Sequence, residues 1–232
     1  NDILKLGKEM HQLLDESAKN RTMGDVPICT MLSGGIDSVL TTHYVLKNID
    51  FNQVKYQPTS YVFRVKGFDS IDVKTAVVAT KGFQKIGLKL KIIEAEEDQI
   101  VRDMPKIVES FEMRQLKALS FYPLPIYWYL APEMHKDGFK VTIGGHGVDE
   151  LLGAYTAWKE LKTSHAAQIK LRSRKAFINN IYNNMLKRAS IIFMNRGPIE
   201  ARFPFLNHQV CEFMLGIDPK WLSLNKPNAE IM

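Results

Sequence analysis

The sequence predicts an α/β fold, a doubly wound and mostly parallel sheet with a helical C-terminal region. Three observations carry this. Apolar runs alternate with stretches of helical spacing from Val26 to Ile143. Two of those runs end in glycine pairs, Gly34-Gly35 and Gly144-Gly145. From about Glu150 onward no strand alternation is evident and helical spacing takes over. The 232 residues are read as one unit (1–232), with 1–150 as the α/β core and 151–232 as a mostly helical part.

In chain order, residues 3–20 place Ile3, Leu4, Leu6, Met10, Leu13 and Leu14 at roughly helical spacing. Asp25-Val26-Pro27 enters the first strand, within the apolar run Val26 to Leu32. Val39 to Leu46 fits a helix packed back on a sheet. Ser60 to Val65, β-branched and aromatic, reads as a strand, with a polar turn at Lys66 to Ser70. Residues 72–85 read as helix and Leu88 to Ile93 as strand. Helices follow over 98–112 and about 124–136, Gly138 stops the second, and Phe139 to Ile143 forms another strand. Leu151 to Leu161, Ala166 to Arg188 and Val210 to Leu215 read as helices. There is no internal repeat and no low-complexity linker.

The hydrophobic share of 45% is that of an ordinary globular chain. A net charge of +6 suits an anionic ligand and is too weak to indicate nucleic acid as a partner. The densest basic cluster, Lys170 to Lys175, reads as a solvated helix face, or else as a contact for phosphate or RNA. The two cysteines, Cys29 and Cys211, form no C-x-x-C, which argues against a zinc site or a thiolation dyad. Cys29 reads as a small core residue, and the low count points to a reducing, cytoplasmic location. No apolar stretch has the length of a membrane span, so no membrane partner is expected.

Ser33-Gly34-Gly35-Ile36-Asp37-Ser38 follows the first strand and opens a helix. Adjacent glycines let a backbone approach a ligand where a Cβ would collide. The first amides of the helix lack partners and carry the positive end of its dipole. Together they make a phosphate cradle, to which Asp37 adds a carboxylate able to hold magnesium. Ser-Gly-Gly alone is ordinary turn punctuation; the Asp and Ser at the helix entry move the reading to a nucleotide site. The site is not of the Walker type, because no G-x-x-x-x-G-K-S/T occurs.

Gly144-Gly145-His146-Gly147-Val148-Asp149-Glu150 follows a later strand in the same way. Ligands of open α/β sheets sit at the carboxyl ends of strands, so both loops should face one crevice. Asp149 is a second magnesium candidate, and an N-cap role is compatible with that.

The Ser33 to Ser38 segment resembles the pyrophosphate loop of the N-type ATP pyrophosphatases, the PP-loop or adenine nucleotide alpha hydrolase-like group. G-G-H-G-V-D-E-L-L-G-A-Y resembles a motif of the synthetase domain of asparagine synthetases, S-G-x-G-x-D-E-L-x-x-G-Y. Glu200 to Asn207 (E-A-R-F-P-F-L-N) resembles that family's E-x-R-x-P-F-L-D. The resemblance implies an ATP-dependent, amide-forming ligase that adenylates a carboxylate, releases pyrophosphate and passes the acyl group to ammonia or an amine. It implies that Ser33, Gly34, Gly35, Asp37 and Ser38 hold the pyrophosphate and that Asp37 and Asp149 hold Mg2+. It further places adenine on the backbone of Leu32 and Val65, and Gly145 close to the nucleotide or acyl group.

Departures from the pattern bear on the substrate. Asparagine synthetases carry an acidic residue between the glycines of the second motif, thought to handle the proton of ammonia; here it is His146. His146 is read as a general base near neutral pKa, or as a passive wall. The family's D-K/R-x-S/T segment corresponds to Lys187-Arg188-Ala189-Ser190, with lysine for the acid, which argues against aspartate as substrate. Lys187 or Arg188 binds an anionic substrate group, or marks a surface helix end. A lysine that contacts the departing phosphates normally follows the third motif; Lys226 is the nearest stand-in. No glutaminase domain precedes the synthetase region, so ammonia would come from solution or from a separate glutaminase subunit.

Glu200 and Arg202 are expected to form a buried structural pair, and Phe203 to Leu206 to pack in the core. Phe121, Tyr122, Tyr127, Trp128, Tyr155 and Trp158 are core aromatics by default, with an acyl pocket as the alternative. His43 is expected to be packed. Two other functions compete: a PP-loop RNA-modifying ATP pyrophosphatase, and a catalytically degenerate ATP-binding module.

Overall fold

The computed structural model describes residues 2–111, 123–152, 172, 174–176, 178–181 and 186–218. Helix α1 spans Asp2–Thr22 and buries Met10, Leu14 and Ala18, four residues apart on one stripe. Then come β1 (Ile28–Met31), α2 (Ile36–Lys47) and β2 (Thr59–Val65). Helix α3 (Ile71–Gly82) is capped by the Ser70 hydroxyl, which accepts from the Val73 amide at 3.3 Å. A 3-10 turn at Gln84–Ile86 leads to β3 (Lys89–Ala95), α4 (Glu97–Ser110) and α5 (Leu124–Lys136). Gly138, at φ 88°, ends that helix region in a left-handed turn that favours glycine. The chain continues through β4 (Val141–Ile143), α6 (Val148–Leu152), α7 (Lys187–Arg196) and β5 (Glu200–Arg202). A 3-10 turn at Pro204–Leu206 and α8 (His208–Gly216) close the described part.

The five described strands form one parallel sheet in the order β3-β2-β1-β4-β5. From the central β1 the chain first builds outward through β2 and β3. It then crosses to the other side of β1 to add β4 and β5. The strand order therefore reverses between β1 and β4, and an open α/β sheet has its crevice there. Thr30 pairs with Ser60 on one side and Ile143 on the other, which brings the two glycine loops out side by side.

Both sheet faces are covered. Cys29 and Tyr61 face a cluster with Ile107 of α4, Leu130 and Met134 of α5 and Phe193 of α7. Helices α2 and α3 cover the opposite face through Leu46, Val73 and Ala76 against Leu32 and Val62. A third cluster joins Met10 and Leu14 of α1, Leu151 of α6, Phe205, and Met214 of α8. Burial pushes the Cys29 thiol up to about 12, so it stays an inert core group. No helix among the described residues is long and apolar enough to cross a membrane.

Four expectations need correction. The region after Glu150 does contain a strand, β5, whose Val141–Glu200 and Ile143–Arg202 registers extend the sheet. It is three residues of Glu-Ala-Arg, too short and too polar to show alternation. Arg202 and Glu200 do pair, at 2.8 Å, but Glu200 is exposed (59%) while Arg202 is mostly enclosed (19%). Lys187 and Arg188 do not end a helix: Leu186 before them has helical backbone and α7 runs on to Arg196, so the dipole argument for cations there fails. His43 is exposed, its ring set edge-on against Tyr44 at 5.0 Å, because position 43 falls on the outer face of α2.

Arg202 also donates to the carbonyls of Arg21 and Met23 at 2.8 and 2.9 Å, tying the end of α1 to β5. Arg202→Met should lower stability by about 1.5–3 kcal/mol, the range for hydrogen bonds to a charged group. Urea unfolding followed by circular dichroism measures this. Arg202→Lys should restore only part of it, since one ammonium cannot copy the guanidinium fork.

Candidate active site

The first loop is pinned from below. Gly34 has φ 80°, and a Cβ there would run into the backbone of Thr75 and Ala76 in α3. The Thr75 hydroxyl donates to the Ser33 carbonyl at 2.8 Å. Ser33 and Ser38 hydroxyls lie 3.1 Å apart, and Ser38 donates to the Gly35 carbonyl at 2.9 Å. Gly35 stands at the N-cap of α2 without any side-chain cap, whereas Ser70 caps α3 and Asn207 caps α8. Gly35, Asp37 and Ser38, at the positive end of the α2 dipole, face the cavity described next.

The second loop rests on the first. A Cβ on Gly145 would lie 2.7 Å from the Asp37 carbonyl carbon and 2.9 Å from the Ser38 nitrogen, so only glycine allows this approach. The third motif supports the loop from behind. Gly144 donates its amide to the Arg202 carbonyl at 3.1 Å. Leu206 occupies the space a Cβ on Gly147 would need, at φ 109°. Phe203 stands edge-on to the His146 ring at 4.7 Å.

Between the loops lies a cavity of about 420 Å3, lined by Ser33, Gly35, Asp37, Ser38, Gly145, His146 and Asp149 of the two motifs. A larger cleft of about 540 Å3 opens at the opposite end of β1, around Asp25, Pro27 and Tyr56; neither glycine loop reaches it. The site at the carboxyl ends is therefore the one with chemistry. Asp37 and Asp149 bring one carboxylate from each loop to the same cavity, a hard-oxygen pair that fits magnesium, which takes one or two carboxylates beside phosphate oxygens.

His146 borders the cavity with one edge and is otherwise enclosed. Its Nε2 lies 2.6 Å from the Tyr127 hydroxyl. Burial raises the Tyr127 pKa, so the phenol stays protonated, and the imidazole tautomer sets which of the two donates. Burial, with the nearby charge of Arg188, holds His146 down at about 4.

Residues 9–194 match the family model described as asparagine synthase. The chain belongs to the asparagine synthase family. It is 25% identical over 219 residues to asparagine synthetase B (glutamine-hydrolyzing) of Escherichia coli, covering 91% of this chain and 38% of that protein. It is also 25% identical over 226 residues to asparagine synthetase 1 (glutamine-hydrolyzing) of Saccharomyces cerevisiae, covering 89% and 39%. The chain thus spans about two fifths of the length of these curated relatives. Among solved structures, a U34-tRNA thiolase, NcsA of Methanococcus maripaludis, superposes with a TM-score of 0.49 at 12% identity, over 95% of this chain and 66% of that one.

Between the two loops the structure gathers Leu32, Ser33, Gly35, Asp37, Ser38, Gly145, His146 and Asp149 around one cavity. Gly34 shapes the loop from beneath and does not line it. Val65 does not line it either; Phe63, two residues earlier, does. Asp149 is not an N-cap, because α6 begins one residue earlier at Val148. His146 is not near neutral pKa, for the enclosure just described. Lys226, Phe121, Tyr122, Tyr155 and Trp158 lie outside the described residues. Asp72, at the start of α3, also lines the cavity, with no signal in the sequence beyond its place after a strand. Tyr127, the partner of His146, is legible in the sequence only as one aromatic among several.

The folded chain resists a proton at His146 that the unfolded chain binds below its usual 6.5. The stability held by the neutral ring is complete above that pH and drains away as pH falls toward about 4. By about pH 5 the loss should reach roughly 2 kcal/mol. Urea unfolding from about pH 7 to about pH 5 should fall less steeply, by about that amount, in His146→Asn.

Proposed function

We propose that this chain binds ATP in the crevice between β1 and β4, adenylates a small carboxylate and transfers the acyl group to ammonia or an amine. One observation carries the reading: two glycine loops in backbone contact each bring a carboxylate to one cavity. The reading treats 1–232 as a single synthetase unit working in the cytoplasm, with ammonia drawn from solution or from a separate glutaminase subunit.

Each part of the nucleotide has a matching surface. The N-terminal end of α2, with Ser33, Gly35 and Ser38, suits the pyrophosphate. The Leu32 amide donates to the Tyr61 carbonyl at 2.9 Å, which shows that side of β2 turned toward β1. Backbone alternation turns Phe63 and Val65 the same way, beyond Met31 where β1 has ended. There the Val65 carbonyl accepts from the Phe68 amide at 3.2 Å, and the edge at Phe63, which lines the cavity, suits the hydrogen-bonding edge of adenine. Asp37 and Asp149 would hold magnesium, which would neutralise charge growing on the leaving pyrophosphate.

In the first step a carboxylate oxygen attacks the α-phosphorus and the bond to the bridging oxygen breaks, releasing pyrophosphate. In the second the amine nitrogen attacks the acyl carbon, AMP leaves, and the nitrogen gives up a proton. His146, neutral and fixed by Tyr127, borders the cavity as an acceptor or donor for that stage. The loops exclude water from one side and hold the reacting groups in line.

AMP release, scored by mass spectrometry with ATP, magnesium and pools of small carboxylates and amines, tests the reading. AMP should depend on a carboxylate, and Asp37→Ala or Asp149→Ala should lower it by about 100-fold or more. AMP that forms equally without any carboxylate, or survives both substitutions, would refute it.

A further inference from the structure

Opposite the two loops the cavity wall is a single face of α5. Ile126, Tyr127 and Leu130 stand at i, i+1 and i+4, with Pro123 just before the helix, and all four line the cavity. None is charged. The only polar side-chain atom of that face, the Tyr127 hydroxyl, is already committed to His146 at 2.6 Å. Phe63 continues the wall and is held rigid, its ring stacked on Tyr129 at 5.6 Å and 4°.

The charged residues of the described lining are acidic. Asp37, Asp72, Asp149 and Glu150 line the cavity, and no lysine or arginine does among the described residues. Arg188 stands behind His146 and Tyr127, where both feel its charge, and is not part of the lining. Magnesium and phosphate use the carboxylates of the loops. A second carboxylate laid against the α5 face would meet apolar side chains in place of hydrogen-bond partners.

Resting on the function proposed above, we infer that the substrate is a monocarboxylate with an apolar tail, laid against the α5 face of Ile126, Tyr127 and Leu130. The α5 face favours such a tail over the second carboxylate of a dicarboxylic amino acid such as aspartate. The backbone edge of β2 at Phe63 serves the nucleotide base, while the α5 face, whose one polar side chain is held by His146, serves the hydrocarbon.

Binding calorimetry tests this without turnover. The protein is loaded with magnesium and α,β-methylene-ATP, which cannot lose pyrophosphate, and titrated with 3-phenylpropionate or L-aspartate. Phenylpropionate should bind about tenfold or more tightly than aspartate. Ile126→Asp should weaken phenylpropionate by about tenfold while changing nucleotide affinity by less than about twofold. Ile126 is half-buried, and Ile126→Phe, apolar and bulkier, should shift preference from phenylpropionate to butyrate if the acidic variant does not fold. Aspartate binding as tightly as phenylpropionate overturns the inference. So does nucleotide affinity that falls with Ile126→Asp, since the wall would then belong to adenine. Nucleotide binding with neither acid bound overturns this inference alone, whereas no nucleotide binding overturns the parent reading as well.

Discussion

The site depends on one contact, the approach of the Gly145 backbone to Asp37 and Ser38. Neighbouring parallel strands lie about 4.8 Å apart, so loops leaving β1 and β4 at the same end must touch or diverge. Any side chain at 145 would force them apart. With glycine there, the amides of α2 and the carboxylates of both loops share one cavity. The sheet order makes this possible, because β1 and β4 become neighbours only after the chain has reversed direction across the sheet.

A loop that close to another must be held from behind, and the third motif does that. β5 places the Arg202 carbonyl on the Gly144 amide, Phe203 on the His146 ring and Leu206 under Gly147. The motif is anchored in turn by α1, whose Ser17 hydroxyl donates to the Pro204 carbonyl at 2.7 Å in a buried contact. A segment that reads as core packing thus sets the position of the second loop. Its sequence signature is structural, acting on the site through backbone and packing.

Elements with a clear period were legible in the sequence. The helix from Asp2 to Thr22 and the strand–loop–helix units around Ser33 and Gly144 fall where apolar spacing and glycines put them. β5 was not legible, because three residues hold no period and its pairing with β4 is set by the fold. Pairings between distant positions were hidden for the same reason. Tyr127 and His146 meet only because α5 packs beside the second loop. The titration of His146 could not be read from its flanking glycines, which suggest openness. The aromatic enclosure comes from helices and strands elsewhere in the chain.

One departure from the family pattern meets, in space, a residue that keeps the pattern. The position between the glycines holds His146 where an acid is expected, while Arg188 holds the basic position of the D-K/R-x-S/T segment, in which only Lys187 replaces an acid. Arg188 lies close enough for its charge to act on His146. An acid at 146 beside Arg188 would form a charged pair and keep a strong polar field across the cavity. A histidine beside a guanidinium behaves oppositely, since the cation and the burial both oppose its protonation. The ring therefore stays neutral, and the boundary between the loops and α5 carries no charge of its own at His146. The exchange of acid for imidazole beside Arg188 thus removes a charge from the wall of the cavity. On the function proposed above, that would move the acyl side of the cavity from ionic recognition toward apolar contact.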